Sequence, residues 1–329
     1  MPAAESIDTR LYSMEIAAEQ QPRAPREQAK CSVSGLALWQ WWVAARGETQ
    51  AVGMPVAELE WFLQGIAGLD RLALRLASFR DQTELPLPLT LEQLSQLWSQ
   101  RLYQQVPVQY LVGRSPWRHF ELQVSPGVLI PRPETESLID WLAQTVAGGI
   151  GITPHETQHW ADLGTGSGAI ALGLATLFPQ AHIHAVDISA TALAMAQANV
   201  AAYGLGDRIH CYQGSWLEPL APLREQLTGL VANPPYIPTD LLSTLQPEVR
   251  DHEPHLALDG GTDGLDCIRH LIHQAPQYLK PGGIWLVEVM AGQAHGVVSC
   301  LQHQGQYDSI RVLPDLAAVD RFVLARRRP

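Results

Sequence analysis

The chain has 329 residues, 46% of them hydrophobic and 17% charged, which is enough apolar mass for an α/β domain with a smaller companion and excludes wholesale disorder. Its formal charge of −11 disfavours a large duplex-binding surface, because phosphate contacts need Lys and Arg. No run approaches the roughly 18 apolar residues of a membrane span, and the N-terminus lacks an apolar signal core, so the sequence predicts a cytoplasmic protein. The cysteines Cys31, Cys211, Cys267 and Cys300 lack C-x-x-C spacing; they read as reduced structural thiols, with no metal site.

Residues 1–31 are polar and without sustained periodicity, and read as a flexible tail. Residues 32–112 read as a helical domain. Within it Pro55 suits a first helical position ahead of Val56, Leu59, Leu63 and Ile66, and Thr90 with Gln93 forms a capping box before Leu91, Leu94, Leu97 and Leu102. Trp39, Trp41, Trp42 and Trp61 are read as packing residues before a partner surface, since aromatic side chains usually supply core area. The prolines around Leu85 to Leu89 read as helix breakers.

Residues 113–132 read as a hairpin linker, because WRHFELQVSPGVLI alternates and carries a Pro-Gly turn signal near its middle. From residue 133 to 329, apolar strands (HWADL, HIHAVD, RIHCYQ, LTGLVAN, GGIWLVEV, then SIRVLP with RFVLARR) alternate with helices near Ala169, Thr191 and His295. That alternation predicts a parallel sheet with helices on both faces.

Candidate ligand residues gather at the strand ends. DLGTGSG places Gly164, Thr165, Gly166, Ser167 and Gly168 in a turn where missing side chains let the backbone approach a ligand. Asp187 ends the next strand at the spacing of a ribose-binding carboxylate. The pair signals a nucleoside cofactor without choosing one, for Gly164, Gly166 and Ala169 also satisfy the relaxed dinucleotide pattern. Trp216 follows the third strand and serves equally as an adenine platform or a core residue. NPPY, residues 233 to 236, follows the fourth strand. Each X-Pro step forces extended geometry and removes an N–H, so Asn233 and Pro234 become a rigid display of acceptors beside Tyr236.

On PRPETE, DLGTGSG, VDIS, NPPYI and EPHLALDGGTDGL the chain resembles the release-factor glutamine methyltransferases, within the class I S-adenosylmethionine-dependent methyltransferases, from about residue 35 to the C-terminus. The resemblance implies a Rossmann-like class I methyltransferase sheet, with a small N-terminal helical domain joined by a β-hairpin. It implies S-adenosylmethionine contacts from Gly164 to Gly168, Asp187, Trp216 and Asn233, and a substrate amide held by Asn233, Pro234, Pro235 and Tyr236. Arg132, Glu134 and Glu253 are further substrate-site candidates; Arg132 and Glu134 either close over the site or pair with each other. Ser215 departs from the family, whose members often carry an acidic residue before the aromatic. The expected reaction is methyl transfer to the glutamine amide in the Gly-Gly-Gln motif of class 1 peptide chain release factors, with no metal and no direct nucleic-acid binding. The rivals are a ribosomal-protein glutamine methyltransferase, an adenine-amino methyltransferase, an NAD-dependent oxidoreductase and a non-catalytic nucleotide-binding module.

Overall fold

The computed structural model describes residues 31–147 and 158–329. Apart from Cys31, the expected tail lies outside the described residues.

The N-terminal part is helical: α1 (Gly35–Ala51), α2 (Val56–Ala67), α3 (Arg71–Leu76), α4 (Leu91–Gln104) and α5 (Val108–Val112). The Thr90 hydroxyl accepts from the Gln93 N–H while the Gln93 side chain accepts from the Thr90 N–H, closing the capping box that starts α4. A short ribbon, β1 (Cys31–Val33) against β2 (Leu85–Leu87), ties the start of this unit to the stretch before α4. The proline-rich stretch therefore does more than break helices, and Pro86 sits where a missing N–H is tolerated in a two-stranded ribbon. Leu38, Leu59, Phe62, Leu63, Leu94 and Trp98 form its core, with Trp39, Trp41, Trp42 and Trp61 packed half-buried against it.

A hairpin follows, β3 (Arg114–Trp117) and β4 (Phe120–Gln123). It turns at Arg118, whose φ is +51°, and not at the Pro-Gly expected to turn it. Pro126 and Gly127 instead make a separate turn, closed by the Val128 N–H donating to the Ser125 carbonyl at 3.1 Å. Two apolar runs flank two different turn signals here, and alternation alone does not choose between them.

Next come α6 (Ser137–Ala147), β5 (His159–Leu163), α7 (Ala169–Leu177), β6 (His182–Asp187), α8 (Ala190–Ala202), β7 (Ile209–Gln213), β8 (Leu227–Ala232), α9 (Pro247–His252), α10 (Asp266–Gln274), β9 (Leu279–Glu288), α11 (Ala294–Gln304), β10 (Tyr307–Pro314) and β11 (Asp320–Arg327). The sheet order is β10-β11-β9-β8-β5-β6-β7. It is parallel from β7 to β9, but β11 runs antiparallel to both β9 and β10, which corrects the expectation of an all-parallel sheet. The connection from β10 to β11 holds only Asp315 to Val319, far too short for a parallel crossover.

Leu138, Ile139 and Leu142 of α6 pack with α7 on one sheet face. Ile268, Leu271 and Ile272 of α10 and Val297 and Leu301 of α11 pack on the other. Every residue of β8 is buried, as a central parallel strand requires. With both faces covered, only the loops at the strand ends remain open to a ligand.

Candidate active site

The first loop is built by Asp162. Its buried Oδ2 accepts from the Thr165 hydroxyl at 2.6 Å and from the Ala171 N–H at 2.9 Å, which fixes the turn between β5 and α7 from inside. Burial pushes this carboxyl up to about 7. Gly164, Gly166 and Gly168 all take positive φ, at +74°, +56° and +85°, a region side chains disfavour. A Cβ on Gly166 would meet nothing within 4 Å, so that position opens onto the neighbouring cavity.

Asp187, at the carboxyl end of β6, faces the same loop. Its Oδ2 accepts from the Gly166 N–H and its Oδ1 from the Ser189 N–H, both at 2.9 Å. Burial raises its pKa, opposed by the N–H groups of Ser189, Gly166 and Ile188. Trp216 has φ +49°, and its ring lies 3.7 Å from where a Gly164 Cβ would stand. A cavity of about 270 Å³ opens here, lined by Gly164 to Ser167, Asp187, Trp216, Asn233, Pro235 and Arg132. Gly168, Pro234, Tyr236, Glu134 and Glu253 lie outside its lining.

NPPY leaves the end of β8 and is held along its backbone. The Gln293 amide donates to the Tyr236 carbonyl at 2.9 Å, and the Gln293 Oε1 accepts from the Met290 N–H at 3.0 Å. Gly264 packs so close that an added Cβ would stand 2.2 Å from the Tyr236 oxygen. The side chains enter one buried chain of hydrogen bonds. Asn233 Nδ2 donates to Thr135 Oγ1 at 3.1 Å, Thr135 donates to Glu288 Oε2 at 2.7 Å, and the Tyr236 hydroxyl donates to Glu288 Oε1 at 3.2 Å. Glu288 is 1% exposed.

The acidic residues after NPPY do not form a cluster. Glu248 pairs with Arg101 of α4 at 2.7 Å, Asp251 with Arg250 at 2.7 Å, and Glu253 with Arg132 at 2.6 Å. Arg132 thus pairs with Glu253, and not with Glu134, which is exposed. Burial raises the Glu253 pKa against the pull of Arg132. Arg101 also binds Glu58 at 2.6 Å, and the His252 ring contacts the Gln104 carbonyl at 2.7 Å, so α9 is fastened to the helical unit beside the cavity.

The donor set suits a nucleoside with a charged tail: a carboxylate with lone pairs to spare, a flat indole, and a bare glycine turn at the start of α7. Among the described residues, no group of three or more His, Cys, Asp or Glu side chains is placed to hold a metal. No helix of the described residues is long and apolar enough to cross a membrane. Sequence reasoning missed Thr135 and Glu288. Thr135 sits inside PRPETE, and Glu288 ends the apolar run IWLVE as Asp187 ends IHAVD, so the same signal was present.

Residues 142–245 match the family model described as the methyltransferase small domain. A release factor glutamine methyltransferase of Synechocystis sp. (strain ATCC 27184 / PCC 6803 / Kazusa) is 50% identical over 295 residues, covering 89% of this chain and 97% of that protein. One from Thermosynechococcus vestitus (strain NIES-2133 / IAM M-273 / BP-1) is 49% identical over 297 residues, covering 89% and 99%. Among solved structures, the hMettl16 catalytic domain in complex with MAT2A 3'UTR hairpin 6 matches with a TM-score of 0.50 at 16% identity, over 63% of this chain and 74% of that one, a likeness of fold alone.

Proposed function

The chain belongs to the release factor glutamine methyltransferases, and from that premise we propose how its cleft carries out the transfer of a methyl group to a release factor's glutamine side chain. S-adenosylmethionine, when bound, supplies the methyl group on a positively charged sulfur. Asp187 receives the ribose hydroxyls, since its carboxylate oxygens keep lone pairs beyond the backbone N–H groups they accept. Trp216 offers its face to the adenine, and the turn from Gly164 to Ser167 admits the cofactor close to the backbone.

The chemical difficulty lies in the acceptor. An amide nitrogen is a weak nucleophile because its lone pair is delocalised into the carbonyl. Asn233 Oδ1 and the Pro234 carbonyl each accept one N–H of the glutamine amide, and Pro235 and Tyr236 wall its plane. Fixed in this way, the nitrogen turns its lone pair toward the methyl group as it becomes tetrahedral. Its proton leaves afterwards, when the nitrogen is acidic. Catalysis is then positioning by fixed dipoles. Arg132 lines the cavity and is held there by the buried Glu253, while Glu134 stands outside it. We assign the target to the Gly-Gly-Gln segment of class 1 release factors in the cytoplasm.

The observation that supports this reading most is that Asn233 and Pro235 of NPPY line the same cavity as Asp187 and the glycine turn. Labelled S-adenosylmethionine added to a cell extract with the protein tests it. Label should appear in a release factor; label confined to nucleic acid or to a ribosomal protein would transfer the assignment to a rival.

A further inference from the structure

We propose that Glu288 is a positioning residue which, through the Thr135 hydroxyl, sets the direction of the hydrogen bonds around Asn233 and so keeps the Asn233 oxygen, and not its NH2, facing the substrate amide. The inference rests on the reading of NPPY given above and adds to it what holds the acceptor the right way round.

A carboxamide has an oxygen end and a nitrogen end of nearly the same shape, so packing alone cannot decide which faces the cavity. Only a partner of fixed polarity decides it. An ionised carboxylate is such a partner, because it accepts and never donates. Glu288 takes the Thr135 hydroxyl proton on Oε2 at 2.7 Å and the Tyr236 hydroxyl proton on Oε1 at 3.2 Å. With its one proton committed, the Thr135 oxygen is left as an acceptor, and Asn233 Nδ2 fills it at 3.1 Å. The Asn233 oxygen is then the end left for the substrate, whose amide brings donors. A cavity presenting the NH2 end would meet the substrate N–H groups with a donor.

The device is buried where its polarity is costly to lose. Thr135 is 4% and Glu288 1% exposed. The groups facing Glu288 are Tyr236 from the NPPY turn, Thr135 and Glu134 from the turn before α6, and Arg321 from β11, itself paired with Asp315 at 2.7 Å. Burial pushes the Glu288 carboxyl up to about 7, against the pull of the Thr135 and Tyr236 hydroxyls and of Arg321, with Glu134 pushing further up. Below that pH a protonated Glu288 donates to Thr135, whose own proton is freed to turn to the Asn233 oxygen. The amide then reverses.

E288Q keeps the shape but must offer an NH2 to one of its two hydroxyl partners. At saturating cofactor and release factor, wild-type kcat should fall as the pH drops through about 7. E288Q should lose up to about a hundredfold of kcat at pH 8, the scale of a misplaced reacting group, with the acid limb gone and the S-adenosylmethionine Kd within about twofold of wild type. T135V, which leaves Glu288 in place but removes the relay, should lose kcat similarly, and it decides the matter if E288Q does not fold. Either folded variant with wild-type kcat and the wild-type acid limb would overturn the proposal. So would a loss of kcat matched by an equal loss of cofactor affinity, which marks a structural role. Wild-type turnover in the same assay bears on the reaction itself, while the ratio of variant to wild type bears on Glu288.

Discussion

The proposed chemistry turns on one side chain, Asn233, whose amide nitrogen is already engaged by Thr135 at 3.1 Å. N233A should leave the fold intact and lower turnover by about a hundredfold or more, the scale of one lost preorganised polar group. Steady-state kinetics with a circular dichroism control checks it, and near-normal turnover would remove Asn233 from the mechanism. NPPY, the glycine turn and Asp187 were legible in the sequence because each is a local pattern at a strand end. Thr135 and Glu288 are not legible in the same way, because the contacts that join them to NPPY cross 98 and 52 residues of chain. Glu248, Asp251 and Glu253 lie close together in sequence, yet three arginines at different places hold them in separate pairs.

At the level of elements, NPPY is stiff because of what packs on it as well as because of its prolines. Gly264 takes φ +77°, and an added Cβ would stand 2.2 Å from the Tyr236 carbonyl and 2.4 Å from the Gln293 amide that clamps it. G264A should therefore displace the turn and lower kcat by tenfold or more while sparing S-adenosylmethionine affinity, as a misplacement of about 1 Å can do; calorimetry beside kinetics separates the two. The sheet also brings together histidines that are dispersed in the sequence. His159, His182, His184 and His210 lie beside one another across β5, β6 and β7, with His159 Nδ1 and His184 Nε2 3.0 Å apart. Burial and its imidazole neighbours depress His184 to about 3. Below about pH 6.5 the unfolded chain takes up a proton that folded His184 refuses, so stability falls as the pH falls through that window. H184N should remove up to about 1.4 kcal/mol of that loss per pH unit, read from urea unfolding at pH 7 and pH 5.5. An identical pH dependence in the variant would show that His184 is not the source. Strand identities were legible from apolar runs, but the antiparallel pairing of β11 followed from a short connection whose meaning depends on knowing both strands first.

Across the whole molecule, the helical unit is tied to the methyltransferase domain through α9, which leads into residues lining the cavity. Arg101 of α4 binds Glu58 in its own unit and Glu248 in α9, and His252 reaches back to Gln104. Because α9 leads directly into Glu253 and the cavity-lining Pro254 and Leu256, this fastening sets the shape of the entrance. R101A should raise the release-factor KM severalfold and leave S-adenosylmethionine binding within about twofold, since removing one partner strands two carboxylates far from the cofactor loop. An unchanged KM would show that the entrance does not depend on this tie. The reaction assigned to the chain can be tested by peptide mapping of a purified release factor after incubation with the protein and labelled S-adenosylmethionine. One methyl group should be found on the side-chain amide of the Gly-Gly-Gln glutamine, and none on a release factor carrying alanine there. A release factor left unlabelled, or labelled equally after that glutamine is replaced, would contradict it.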